Sequence, residues 1–208
     1  MTEHWWQHTK TAGPGPDQAA GAALQAARQA HEQSAREEAQ RQLLEFGEQL
    51  ENSAVPPAQA DQSQLTIALD AYEAAAKVLD HAHDLADIAG VLVLVRMGRA
   101  AAVAAQTGQA ESRAPVELCF FNPLHGISAR HVRWRLLGQR EALLVRACAE
   151  CADRIHQRRQ PDALTCQIDG HEVPYYEVDP RQSVWAATGY GQFTDDLIER
   201  VLTGRPPG

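Results

Sequence analysis

The sequence predicts an α+β protein in which a long helix and a helical hairpin precede a small Cys/His zinc-finger-like module of β-hairpin and helix. Three observations carry this reading. Apolar residues recur every three or four positions before residue 106 and alternate after Pro115. All four cysteines lie beyond residue 118. Charge is divided as well: residues 1–114 hold 8 Lys/Arg against 15 Asp/Glu, whereas residues 115–208 hold 11 against 12.

With 208 residues, 44% of them hydrophobic, and a formal charge of -8, the chain has room for one or two globular units. Met1 is followed by His4, Trp5, Trp6 and Pro14 rather than by an apolar run, so neither a secretory signal nor a transit peptide is expected, and the expected location is cytoplasmic. The apolar run Val91 to Val95 is flanked by Arg96 and Arg99 and is shorter than the ~20 residues that span a bilayer, so no transmembrane helix is expected.

Residues 1–16 combine two tryptophans with Gly-Pro-Gly-Pro and read as a flexible arm. Trp5 and Trp6 either dock on a partner or pack back on their own domain. Residues 17–106 form a helical region. From Asp17, placed to cap a first turn, to about Asn52 the chain is rich in Ala, Gln, Glu and Arg, and its apolar stripe is narrow: Leu43, Leu44, Phe46 and Leu50. No heptad seam is sustained. Pro56-Pro57 ends that pattern, and a second helix follows with Leu65, Leu69, Tyr72, Ala76 and Leu79 as its expected buried face. A third helix starts near Asp84 or Asp87 and carries Ile88, Val91, Leu92 and Val95 to about Ala105. Residues 107–115 read as a linker.

Residues 116–208 form the expected α+β module. Val132, Trp134 and Leu136 alternate as a half-buried strand, Gly138 turns the chain into an antiparallel partner at Ala142 to Ala147, and Cys148 to Arg159 resumes helical composition. Leu164, Cys166 and Ile168 form a second alternation, Asp169-Gly170 is a two-residue hairpin signal, and Val173 and Tyr175 return on a strand that Pro174 confines to an edge. Leu197, Ile198, Val201 and Leu202 are the stripe of a closing helix from about Thr194.

Cys119, His125, Cys148 and Cys151 supply four ligands of the kind that zinc takes in a structural site. Cys148 and Cys151, two residues apart at a helix start, direct both sulfurs toward one ion, and Pro123 with Gly126 favours a turn that returns His125 beside Cys119. The order of loop ligands, hairpin and helix-borne ligand pair resembles the treble-clef class of zinc fingers, with Cys-x5-His in place of a Cys-x2-Cys knuckle. That departure leaves open a looser site, His131 as a ligand, or cysteines that pack without metal. Cys166 reads as a buried free thiol. A Cys119–His125 nucleophile pair lacks an orienting third residue, and His81 and His83, two apart on a helix, share no face. Eight arginines against three acidic residues between Arg130 and Arg159 could contact phosphate, but the acidic total makes a nucleic-acid partner unexpected.

Leu69-Asp70-Ala71-Tyr72, Asp87-Ile-Ala-Gly-Val-Leu-Val-Leu, Cys119-Phe-Phe-Asn-Pro-Leu-His-Gly126, Cys148-Ala-Glu-Cys151, Val173-Pro-Tyr-Tyr176 and Trp185-Ala-Ala-Thr-Gly-Tyr190 together resemble an uncharacterised actinobacterial protein family, some of whose members are parts of larger membrane-associated proteins. The resemblance implies a helical hairpin joined to a Cys/His module and no particular activity. The expected function is that of a non-enzymatic interaction or scaffold protein with a structural zinc. Its partner, or a second copy, would be engaged through the N-terminal helices. The alternative is a metal-dependent hydrolase or nuclease with an open Cys/His site.

Overall fold

The computed structural model describes residues 16–52, 61–108 and 117–204. The arm with Trp5 and Trp6, the Pro56-Pro57 break and most of the 107–115 linker lie outside the described residues. Two compact units are distinguished, residues 1–34 and residues 35–208.

The helices are α1 (Pro16–Glu51), α2 (Gln62–His81) and α3 (Leu85–Thr107), then α4 (Ala149–His156), α5 (Val184–Thr188) and α6 (Leu197–Thr203). Two antiparallel hairpins stand among the last three: β1 (Arg130–Trp134) with β2 (Leu143–Ala147), and β3 (Thr165–Ile168) with β4 (His171–Pro174). The architecture is α+β, as the periodicity predicts.

Helix α2 starts where the Asp61 carboxylate accepts the amides of Ser63 and Gln64. Asp84 caps α3 in the same way by accepting from the Asp87 amide, while the Asp87 carboxylate reaches back to the His83 amide. The Val-Leu-Val run is therefore helical. At its end, Gly108 takes a left-handed conformation and donates to the Ala104 carbonyl.

On α2, Tyr72, Ala76 and Leu79 pack against the core as the sequence predicts, but the most buried positions are small residues and Leu69 is a correction to the sequence reading. Ala68, Ala71, Ala74 and Ala75 are fully buried, whereas Leu69 is 51% exposed. Small side chains let the two helices of the hairpin approach closely: a Cβ built on Gly98 of α3 would lie 2.9 Å from the Ala71 Cβ and 2.5 Å from the Phe46 ring. Larger residues on that face would force the helices apart. On α1 the stripe is Ala39, Leu43 and Phe46, all buried, while Leu44 is 66% exposed.

Helix α3 is the centre of the core, with Ile88, Val91, Val93, Leu94 and Val95 fully buried. Its 23 residues are long and apolar enough to cross a membrane by length and composition, a longer segment than Val91 to Val95 alone suggested, and 56% of that apolar window is buried within the protein. Near its C-terminal half, Arg99 donates to the Gln42 carbonyl at 3.1 Å.

One apolar core runs from α1 through α6 and crosses the division suggested at 107–115. Trp185 of α5 lies against Gly90 and donates to Asp87, and the Tyr190 hydroxyl donates to the Ala86 carbonyl at 2.9 Å. Lys77 of α2 donates to the Val201 and Leu202 carbonyls at the end of α6. Residues 117–204 thus complete their core on the helical hairpin rather than alone. Strand β4 ends at Pro174, and Tyr175, expected on the strand, falls in a 3-10 turn (Tyr175–Glu177) and is fully buried. Helix α6 starts at Leu197 rather than Thr194.

Candidate metal centre

The chain around Cys119 is folded into a knuckle by its own backbone. The Cys119 amide donates to the Gly126 carbonyl at 3.0 Å and the Ser128 amide to the Glu117 carbonyl at 2.7 Å, with Leu118 and Ile127 bridged between them. Inside it, the Asn122 carboxamide oxygen accepts the Leu124 amide and Pro123 starts a 3-10 turn (Pro123–His125), which brings the imidazole back over Cys119. Gly126 leaves the turn at φ 79, ψ -149, a region that only glycine enters without strain.

The other two ligands come from the start of α4. Cys148 is its N-cap, and its sulfur accepts the Cys151 amide at 3.4 Å. This contact fixes both sulfurs on the side that faces the knuckle. The β1–β2 hairpin sets the distance between the pairs: its register places Val132 opposite Val145, the Ala129 amide donates to Ala147, and the Phe120 amide donates to Arg146 at 2.8 Å.

The ligand atoms of Cys119, His125, Cys148 and Cys151 all lie within 4.8 Å of one another. His125 Nδ1 is 3.6 Å from Cys148 Sγ and 3.5 Å from Cys151 Sγ. A tetrahedral zinc with its usual bond lengths to sulfur and nitrogen requires a sulfur–nitrogen edge of about 3.6 Å and a sulfur–sulfur edge of about 3.8 Å. The edges from His125 to Cys148 and Cys151 therefore already have the required length, and contraction of the other pairs by at most about 1 Å closes the shell. All four cysteines are free thiols rather than disulfides.

Electrostatics points the same way. The Cys119 thiol is held down to about 3, first by the hydrogen bond from Cys151 and then by His125. Cys151 is pushed far up by the thiolate beside it, Cys148 is raised by burial, and His125 is raised by its contact with Cys119. Without a cation, the cluster thus favours a single thiolate, on Cys119, whose charge opposes ionisation of the two thiols beside it. Three adjacent thiolates require a multivalent cation.

The surroundings suit a ligand histidine. With Nδ1 turned to the sulfurs, Nε2 faces the Asp162 carboxylate and the Asn122 amide nitrogen, each at 3.3 Å; the tautomer with its proton on Nε2 donates to Asp162, the arrangement that orients a metal-bound imidazole. Nothing in the spacing of the sequence marks Asp162 for this place. Behind the cluster, Phe120 stacks on Tyr176 at 5.3 Å, Phe121 meets Trp134 edge-on at 5.0 Å, and the Tyr175 hydroxyl donates to the Phe120 carbonyl at 2.6 Å. These rings exclude water from one side.

The remaining sequence candidates fall elsewhere. His131 is exposed on β1 and is not among the four grouped ligands. Cys119 is fully buried, which leaves a substrate no access to it as a nucleophile. Cys166 is buried on β3, its thiol pushed up to about 12 by burial and the nearby Asp84 and Asp87. His81 Nδ1 donates to the Lys77 carbonyl at 2.9 Å. Of the arginines, Arg130 pairs with Asp153, Arg146 with Glu117 and Arg154 with Glu150.

Fold and site together define an α+β protein with a buried Cys3His cluster capable of holding a metal ion. Comparison of the chain with protein-family models, with curated proteins and with solved structures finds no match.

Proposed function

We propose that Cys119, His125, Cys148 and Cys151 hold one structural zinc and that the protein works in the cytoplasm as a non-enzymatic binding or scaffold protein. The closed donor set carries this reading: three sulfurs and one nitrogen fill a tetrahedron and leave no position for the water that a catalytic zinc keeps. Soft thiolates with one imidazole favour zinc over magnesium or calcium. In this role the ion joins the knuckle to α4 and so sets the position of the hairpin between them. The resemblance to the actinobacterial family belongs to the same proposal and adds no activity to it.

Association through α1 would draw on its outward residues such as Leu44, because Leu43 and Phe46 are packed in the chain's own core. Elemental analysis with a thiol count on protein purified without added metal tests the centre. One zinc per chain is expected, with three thiols protected until a chelator is added. A metal with an exchangeable water, or a chain without metal and with four reactive thiols, would overturn the structural reading.

A further inference from the structure

We infer that the pocket between α2, α5 and α6 binds a small organic anion with an apolar body. The pocket has a volume of about 470 Å³ and shares no residue with the Cys/His cluster. That volume lies in the range of sites for small molecules. Its lining is mostly apolar and includes Val78, Val184, Val201 and Trp185 together with Lys77, Arg181 and Arg200.

The hydrogen-bond inventory selects the charge of the ligand. Among the described lining residues the one carboxylate is Asp87, against the cations Lys77, Arg181 and Arg200. Asp87 accepts from the Trp185 indole and the His83 amide, both at 2.9 Å. Asp179 accepts from Arg181, and Asp196 accepts from Arg200 Nε at 2.8 Å. Donors are left over by contrast. Among the described residues, Lys77 uses two of its three on the α6 carbonyls, Arg200 donates through Nε to Asp196, and Arg181 through Nε and Nη2 to Asp179. The Ser183 hydroxyl accepts the Ala186 amide and keeps its proton to donate. A cavity lined by three cationic side chains with donors to spare, one carboxylate and an apolar wall is complementary to an anionic group, which accepts only, on a hydrophobic body. Because the carboxylates also offset the guanidinium charges, the attraction is short-ranged and depends on contact with the donors rather than on the field of the pocket.

The probe is 8-anilinonaphthalene-1-sulfonate on the intact full-length chain, against neutral N-phenyl-1-naphthylamine, which lacks the sulfonate. Saturable binding of one sulfonate per chain is expected, with displacement by phenyl phosphate or benzoate and much weaker binding of the neutral analogue. Arg200→Gln and Arg181→Gln should each weaken the sulfonate by about tenfold, the effect of one lost charge-assisted hydrogen bond. Arg133→Gln, on the β1–β2 hairpin, should leave it unchanged. The Arg181 side chain is 79% exposed and, among the described residues, pairs with Asp179, so that variant keeps the test valid should Arg200→Gln fold poorly. More than one site per chain, equal affinity for the neutral analogue, or loss of binding in Arg133→Gln but not in Arg181→Gln would overturn the assignment.

Discussion

The α2–α3 pair and the segment from residue 117 to residue 204 fill one core by opposite means. The pair uses long elements and small side chains: Ala68, Ala71, Ala74 and Ala75 of α2 are fully buried, Ala71 lies against Gly98 of α3, and Gly98 admits Phe46 at ring contact. Regular helices bring many small contacts into register, so close approach replaces side-chain bulk. The later segment has no helix longer than the eight residues of α4 and no strand longer than five. Elements of that length cannot stabilise themselves, and here large rings and a ligand cluster do the work that length does in the hairpin. Regularity and large buried rings are thus two answers to the entropy of ordering a chain, and the proposed zinc would add a cross-link to the second.

The sharpest way to break this comparison is to remove the cluster. Cys148→Ser or Cys151→Ser should release zinc and collapse the packing after residue 117, because small zinc modules draw on the order of 10 kcal/mol from the ion. Near-ultraviolet circular dichroism should lose its aromatic signal while part of the helical far-ultraviolet signal persists from α2 and α3, and chelator-treated wild type should behave alike. Full stability with unchanged metal in Cys148→Ser would place the stability of the segment in its rings alone.

Phe46→Ala should cost about 3–5 kcal/mol, as expected for a fully buried ring, whereas Leu44→Ala should change stability by less than about 0.5 kcal/mol. Denaturant melts of the two variants measure how far α1 contributes to the pair through one side only. Equal effects would mean that the outward face is covered in solution.

Gly90→Ala probes the seam between the two regions. Its new Cβ would lie 2.2 Å from the Trp185 ring, so the indole must shift together with its bond to Asp87. Overpacking of this kind costs about 3 kcal/mol, more than the roughly 1 kcal/mol that alanine gains over glycine in a helix. Thermal unfolding should show one transition at lower temperature if the core is continuous; two transitions would restore a boundary near 107–115.

Cys166→Ala should give the smallest effect, a packing loss of about 1–2 kcal/mol with zinc content unchanged. Altered metal content in that variant would mean that the ligand set extends beyond the four grouped residues.

What the sequence determined by itself is what is encoded along the chain. The 3.6 and 2.0 periods locate α1 to α3 and both hairpins, Asp84 marks the start of α3, and Asp169-Gly170 marks a tight turn, now seen with φ 50 and 78. The identity of Cys119, His125, Cys148 and Cys151 as one set follows from residue type and spacing, and the structure brings their ligand atoms together. Tertiary structure alone decided the rest. Which face of α2 is buried depends on how closely α3 approaches, and closeness favours alanine where a search for bulky residues points to Leu69. Asp162 reaches His125 from 37 positions away, with no local pattern to announce it. The seam at Gly90 and Trp185, and the pocket between α2, α5 and α6, arise where distant segments meet. Periodicity and ligand chemistry are local properties of the chain, whereas burial and spare hydrogen-bond donors are properties of whatever the fold places beside each residue.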